Sequence, residues 1–391
     1  MITYKFRIYP NKKQQRKILY QFKICKEIYN ELLYQNKEYL ITKKYDFNSI
    51  IKDIKITCPA YYSKVHSQAL QNISDRVSKA LENFFRRVKE KKEKVGFPRF
   101  KSRVKSITYP QSGFMINKKL KLSKIGNIPI IYHRTIKGKV KTLTIKVNKF
   151  NQWYVFFSCE AENKKIKNNR LHNAIGIDVG LENFATLSNG EKVENPRFLI
   201  RSEDKLKKLQ RRLSRKKLRS KSRKKVKLKI ARQHIKIFNQ RNDFLHKLSR
   251  KLVNNYRLIA VEKLNIKGMV HNRYLAKHIY DVSWNRFIQL LSYKAVASGG
   301  LLIESTKTKG SSKRCSNCGF EMEMKLNKRV FKCDSCGLKL NRDHNAAINM
   351  LKDTVGHTEI STLADDNVRP SFLKAKIYEA RTKRDELLMK Q

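Results

Sequence analysis

Two sets of residues in this 391-residue chain have the types and spacing to hold cations. The first is Cys315-Ser-Asn-Cys318 and Cys333-Asp-Ser-Cys336, two Cys-x-x-Cys pairs with 14 residues between them, each followed by a glycine, Gly319 and Gly337. Four thiolates at this spacing suit a closed tetrahedral zinc site, and the glycines permit the tight turn that a metal knuckle makes. A site with four protein ligands leaves no open position, so its role would be structural: it stiffens a module too small to have a core of its own. The second set is acidic. Asp178 and Glu262 each end an apolar run, Ala174-Ile-Gly-Ile-Asp and Leu258-Ile-Ala-Val-Glu, and Asp343 opens a helical pattern with Ala346, Ala347, Ile348 and Leu351. Hard carboxylate oxygens are natural ligands for magnesium, and a pair of such ions activates water and stabilises the leaving oxygen in phosphodiester hydrolysis. A carboxylate at a strand end is more often a turn or cap residue, so the spacing suggests this site without defining it.

The bulk composition narrows the substrate. Lys and Arg number 89 against 32 Asp and Glu, a net charge of +57. An excess of that size repels itself in a compact chain and implies a polyanionic partner, a folded RNA, a duplex or both. The charge pervades the chain, whereas a membrane-binding segment would concentrate it on one amphipathic helix. No apolar run approaches the roughly 18 residues of a membrane span, and Met1 to Arg7 alternates like a strand without the apolar centre of a signal peptide. The expectation is a soluble prokaryotic cytoplasmic protein, associated with the nucleoid when DNA-bound. Cys25, Cys58 and Cys159 are scattered in apolar or strand-like settings, which predicts buried thiols rather than a disulfide framework.

The elements that must position these residues follow from periodicity. After the first strand, Asn11 with Gln14 three residues on has the form of a helix cap, and Ile18, Phe22, Cys25, Tyr29 and Leu32 continue one apolar face. A second helix after Pro59 places Ala69, Ile73, Val77, Leu81, Phe84 and Val88 on one side. Gly96-Phe97-Pro98 ends this helical unit, and residues 100–160 read as short β-branched and aromatic strands. They form a β-barrel or sandwich that the strand at residues 2–8 could complete, the helices being an insertion. Two basic helices, about 203–218 and 226–254, carry stripes at Leu206, Leu209, Leu213 and at Ala231, Ile235, Phe238, Leu245, Leu248, Leu252. Between them, residues 214–225 hold eight basic residues in twelve, a density that favours a nucleic-acid contact over an ordinary solvated hairpin. A helix around 283–298 and a strand from Leu301 to Ser305 precede the cysteines.

The acidic segments then carry a resemblance. Gly176-Ile177-Asp178-Val179-Gly180-Leu181, Val261-Glu262-Lys263-Leu264-Asn265 and Asn341-Arg342-Asp343-His344-Asn345-Ala346-Ala347-Ile348-Asn349 resemble the three RuvC motifs of the TnpB family. These are transposon-encoded, RNA-guided endonucleases related to the type V CRISPR effectors. The cysteine module lies between the second and third motifs, as in that family, with Ser311-Ser312-Lys313-Arg314 before it, and Trp284, Phe287, Leu291 and Tyr293-Lys294 also match. The similarity is strong over about residues 172–352 and weaker before them. It implies that Asp178, Glu262 and Asp343 bind a magnesium pair and that Cys315, Cys318, Cys333 and Cys336 bind zinc. The family's third motif usually opens with Asp where this chain has Asn341, and His344 reads as a neighbour rather than a base.

The implied architecture is multi-domain α+β. A wedge-like β-barrel (1–10 and 96–165) carries an inserted helical recognition domain (11–95). An RNase H-like nuclease domain (172–308 and 341–355, with the basic hairpin at 203–254) carries an inserted zinc ribbon (309–340), and 356–391 is a flexible tail. The implied partners are a guide RNA, one protein per guide, and a DNA target cut beside a short duplex motif that the protein reads. Lys64 and Gln68, four apart and so on one helical face, resemble the pair that touches that motif. Lys216, Lys217, Arg219, Arg223 and Arg314 are further nucleic-acid candidates. The alternatives are a nuclease-inactive RNA-guided regulator, which loss of a carboxylate would mark, and a DNA-strand-transferring transposase, against which the cysteine module argues.

Overall fold

The computed structural model describes residues 2–39, 44–90, 95–148, 150–160, 173–305, 311–324 and 328–355, so the expected flexible tail lies outside the described residues. The chain divides into two compact units, Met1–Glu162 and Asn163–Gln391. No helix among the described residues is long and apolar enough to cross a membrane.

In the N-terminal unit, strand β1 (Ile2–Ile8) leads to helices α1 (Lys12–Tyr39), α2 (Lys44–Thr57), α3 (Pro59–Tyr62) and α4 (Ser67–Lys89), followed by strands β2 (Ser106–Pro110), β3 (Phe114–Ile116), β4 (Lys119–Leu122), β5 (Gly126–Ile131), β6 (Val140–Val147) and β7 (Trp153–Cys159). The strands form one nearly closed antiparallel sheet in the order β2-β6-β7-β1-β5-β4-β3. Strand β1 lies between β7 and β5, because alternation puts Tyr4, Phe6 and Ile8 on the face that Val155, Phe157, Leu143 and Ile145 also bury. At α1, the Asn11 side chain accepts from the Gln14 amide at 2.8 Å and Gln14 returns a bond to the Asn11 amide at 3.0 Å, a reciprocal cap. Its apolar face and that of α4 (Ala69, Leu70, Ile73, Val77, Leu81) enter the same core as the sheet. Two expectations need correction. Val88, in the last turn of α4, is exposed, and Cys58 is exposed because it caps the short helix that Pro59 opens, while Cys25 and Cys159 are buried.

The C-terminal unit contains β8 (Ala174–Val179), β9 (Asn183–Leu187), β10 (Lys192–Glu194), α5 (Phe198–Ser214), α6 (Lys221–Asn255), β11 (Leu258–Glu262), α7 (Ile266–Met269), α8 (Arg273–Val282), α9 (Trp284–Ala297), β12 (Leu301–Ser305), β13 (Val330–Lys332), β14 (Lys339–Asn341) and α10 (Arg342–Val355). Its five-stranded sheet has the order β10-β9-β8-β11-β12: the first three strands run antiparallel, and β8, β11 and β12 run parallel. The near-continuous apolar runs of β8 and β11 are what a strand covered on both faces requires.

Helix α6 is 35 residues long and begins at Lys221, so half of the basic segment 214–225 is helical rather than connecting. Only its second half packs on the sheet core, through Leu245, Leu248, Leu252 and Val253. In the first half Val226 and Ile237 are buried outside that core, while Phe238, assigned by periodicity to the stripe, is 57% exposed. Asp281 of α8 ties the helices together: it accepts from Arg241 at 2.5 Å and, with both oxygens, from the Leu199 amide at 3.0 and 3.2 Å.

Candidate active site and metal centre

Strands β8 and β11 pair in parallel with Val261 opposite Ile177. The next residue on each strand is a carboxylate, so Asp178 and Glu262 stand side by side where the two strands end. Asp343 comes from the first turn of α10, which packs against β8. That packing depends on two small residues. A Cβ on Gly176 would lie 2.0 Å from the Ala347 carbonyl oxygen, so only glycine lets the helix approach the strand this closely.

The three carboxylates feel one another. Burial pushes the Asp178 carboxyl well above the ordinary carboxylate range, and the charges of Asp343 and Glu262 push it further, against a smaller pull from Arg342 and the Val179 amide. Glu262 is raised by burial as well. Such crowding of anions is costly alone and is relieved by a divalent cation, so the donor set fits hard-cation chemistry. Arg329 reaches towards the same place: it pairs with Glu182 at 2.9 Å and lies 3.9 Å from Asp343.

Asn341, where the resembling motif carries Asp, caps α10. Its side-chain oxygen accepts from the amides of Asp343 at 3.1 Å and His344 at 3.3 Å. A ring nitrogen of His344 lies 3.1 Å from the Ser188 carbonyl oxygen, which fastens the helix to the turn after β9.

The four cysteine sulfurs all lie within 4.8 Å of one another, the one such group of metal-ligand atoms among the described residues. Cys315 and Cys336 are 3.6 Å apart and Cys318 and Cys333 3.5 Å, each a contact between the two knuckles. Tetrahedral zinc at about 2.3 Å from sulfur would set these spacings near 3.8 Å, whereas a disulfide needs about 2.0 Å. The knuckles are built alike. The Cys315 amide donates to Phe320 and Gly319 donates back to Cys315; Cys333 donates to Leu338 and Gly337 back to Cys333. Gly319 and Gly337 take φ of 79° and 73°, the left-handed region that a side chain would strain. The Leu338 amide hydrogen-bonds the Cys336 sulfur and pulls its thiol below the ordinary range, towards the ligand form.

This module is held by two asparagines that the apolar pattern of α10 leaves out. Asn345 and Asn349 of α10 are buried: Asn345 accepts from the Ser316 amide at 2.9 Å and donates to the Arg314 carbonyl at 2.8 Å, and Asn349 donates to the carbonyls of Ser311 at 2.8 Å and Arg314 at 2.6 Å. A polar residue buried every fourth position of an otherwise apolar helical face was the available signal.

The nucleic-acid candidates divide. Lys216, Lys217 and Arg219 are exposed on the α5–α6 turn. Arg223 is not free, since its guanidinium donates to the carbonyls of Leu213 at 2.7 Å and Lys216 at 3.2 Å and so staples that turn. Arg314 is committed to Asp353 in a largely buried pair. Lys64 and Gln68 do not share a helical face: Lys64 lies in the turn after α3, Gln68 in the first turn of α4, and the Gln68 oxygen accepts from the Ser112 amide at 2.9 Å. The short helix that Pro59 starts stops at Tyr62, which breaks the i, i+4 relation.

Comparison with known proteins now adds to this geometry. A family model described as "Probable transposase" matches residues 156–273, and one described as "Cas12f1-like, TNB domain" matches 284–350, the span that contains the cysteine module and most of α10. A "Helix-turn-helix domain" model matches 1–44, where the described residues form β1 and a single 28-residue helix. The "Putative RNA-guided DNA endonuclease" of Streptomyces pristinaespiralis is 31% identical over 382 residues, covering 94% of this chain and 92% of the relative. A protein of the same description from Escherichia coli (strain K12) is 29% identical over 388 residues, covering 92% and 93%. A "TnpB-like protein" of Acanthamoeba polyphaga mimivirus is 25% identical over 382 residues, covering 89% and 72%. The chain belongs to the TnpB family, to which these relatives belong.

Proposed function

We propose that this chain is an RNA-guided DNA endonuclease whose RuvC-like site is Asp178, Glu262 and Asp343. The observation that carries the reading is the gathering of three carboxylates at one strand-end site, where burial and then the charges of Asp343 and Glu262 raise the Asp178 carboxyl well above its ordinary range. A magnesium pair there would supply an activated water and neutralise the leaving oxygen. Asp178 and Glu262 would hold the ions from the rigid sheet, and Asp343 would close the set from α10. Arg329, already beside Asp343, would meet the scissile strand's phosphate. Cys315, Cys318, Cys333 and Cys336 would hold a structural zinc. The names of the full-length relatives support the RNA guide and the DNA target.

On this reading the N-terminal sheet is the wedge-like domain and its helices the recognition domain, one protein binds one guide RNA, and a short motif beside the target is read by protein. The exposed Lys216, Lys217 and Arg219 would contact phosphates, which makes affinity fall steeply with salt. The test is to purify the protein with its co-bound RNA and assay magnesium-dependent cleavage of a guide-matched duplex. Cleavage should vanish in Asp178→Ala. Cutting that persists in that variant, or that ignores the guide, defeats the proposal, and joined strands in place of cut ends would favour the transposase reading.

A further inference from the structure

Glu182 stands at the edge of the carboxylate site without belonging to it. It lies in the short turn between β8 and β9, a turn fastened on both sides. The Gly180 amide donates to the Phe184 carbonyl at 3.3 Å, and the Asn195 side chain donates to the Leu181 carbonyl at 2.7 Å. Oε2 of Glu182 lies 2.9 Å from Nη2 of Arg329, while Nη1 of the same guanidinium is 3.9 Å from Oδ1 of Asp343. One guanidinium is thus divided between two carboxylates, and its close contact is with the one outside the magnesium set.

The cysteine module brings Arg329 there. Arg329 directly precedes β13, whose Val330 stands opposite Asn341 of β14, and its carbonyl accepts from the Arg342 amide at 2.8 Å. The hairpin therefore sets the Arg329 backbone against the residue before Asp343. The side chains of Glu182 and Arg329 are 59% and 55% exposed, and an ion pair that open contributes little to stability. What it fixes is direction. A guanidinium is a planar fork with donors in fixed places, so anchoring Nη2 also aims Nη1. Without Glu182, the attraction of Asp343 would draw Arg329 onto that carboxylate, where it would compete with a divalent ion.

We infer that Glu182 is a positioning residue that acts through Arg329: it holds one arm of the guanidinium so that the other faces a substrate phosphate and does not cover Asp343. A lysine at 329 could not serve, since it has a point charge and no fork. The inference rests on the endonuclease reading and adds to it the group that keeps Arg329 off the metal ligand.

The experiment uses the full chain and has two readouts. The first is calorimetric titration with magnesium alone, each protein corrected by its Asp178→Ala counterpart, which reads the metal site without turnover. Glu182→Gln should weaken magnesium binding by about 10-fold, the usual effect of losing a group that orients a site from outside the ligand set. Arg329→Ala should not weaken it, and Glu182→Gln made in the Arg329→Ala background should add little, because the competitor is gone. The second readout is single-turnover cleavage of a guide-matched duplex by the RNA-bound protein at saturating magnesium. The rate should fall by about 10-fold in Glu182→Gln and by about 100-fold in both Arg329→Ala and Arg329→Lys, with duplex affinity unchanged. Glu182→Asp, which keeps the acceptor, should recover part of the loss. A Glu182→Gln protein that matches the parent in magnesium affinity and rate overturns this inference alone. So does an equal loss of magnesium affinity with and without Arg329, which would assign the effect to the charge of Glu182 itself, and so does parental cleavage by Arg329→Lys. Cleavage that persists in Asp178→Ala overturns the endonuclease reading and this inference with it.

Discussion

Gly176→Ala is the most informative single change in the C-terminal unit, because the structure sets its size. The added Cβ would sit 2.0 Å from the backbone oxygen of Ala347 and 3.0 Å from Cβ of Leu351. Real contacts of this kind are essentially never closer than 3.0 Å, so α10 and β8 must separate by about 1 Å. The obstructing atom is main-chain, and no rotamer change relieves it. Asp343 rides on the first turn of α10 and Asp178 lies two residues beyond Gly176, so the same displacement opens the gap between the two carboxylates. Overpacking of this kind costs about 1–3 kcal/mol, and a misplacement near 1 Å in a reacting constellation costs roughly 100-fold in rate.

Two measurements separate the outcomes. Thermal unfolding should show a loss of about 4–8 °C, the consequence of roughly 2 kcal/mol in a unit of this size. Guide-directed cleavage at a temperature where the variant is fully folded should fall by about 100-fold. Gly96→Ala is the control, since nothing lies within 4 Å of its Cβ, and it should leave both quantities unchanged. A Gly176→Ala protein that melts and cleaves like its parent would refute the claim that close approach of α10 sets the carboxylate geometry.

Other perturbations test separate links. Magnesium should raise the melting temperature of the parent and not that of Asp178→Asn, since the ion binds only the folded site; equal shifts would place the ion elsewhere. Elemental analysis should find one zinc per chain, and Cys318→Ser should lose most of it and destabilise the cysteine module. Asn345→Ala leaves the Ser316 amide and the Arg314 carbonyl without that partner and should cost about 1–3 kcal/mol, read by chemical denaturation. Lys294 is buried, donates to the His246 carbonyl and the Ser249 hydroxyl, and is held by burial at about 8 rather than 10.5. The folded state therefore binds fewer protons than the unfolded chain between those values, so stability rises with pH across that window and is lower beneath it. Lys294→Met should remove a rise on the order of 3 kcal/mol, and an unchanged profile in denaturant titrations at pH 7.5 and 10.5 would contradict the assignment.

What could be read from sequence was whatever chemistry acts locally. The Asn11–Gln14 cap lies within one turn, and the knuckle turns need only Cys-x-x-Cys-Gly, so both are written in a few adjacent residues. The ends of β8 and β11 were legible because apolar runs of that length stop where a charge must leave the core. Their register was not, because pairing Ile177 with Val261 depends on residues more than eighty positions apart. Charges misled in a consistent way. Arg314 and Arg223 look like the rest of a polybasic chain, yet each is recruited by a neighbour that only the fold supplies, Asp353 for one and two helix-end carbonyls for the other. Phe238 failed differently, since periodicity finds a stripe but cannot say how far along a 35-residue helix a partner extends.

Helix α10 joins these observations. One face rests on Gly176 through Ala347, the first turn presents Asp343, and Asn345 and Asn349 hold the cysteine module. Any force on that module therefore reaches Asp343 through at most two helical turns, or directly through β14, which ends two residues before it. The same view explains why Asn341 is sufficient where a related motif carries Asp. The position's work is to accept from the amides of Asp343 and His344, which Asn does as well as Asp. A carboxylate there would gain from the helix dipole but would add a fourth negative charge beside a cluster in which burial and two neighbouring charges already raise Asp178. In this chain the neutral cap fixes the helix start without adding to that repulsion.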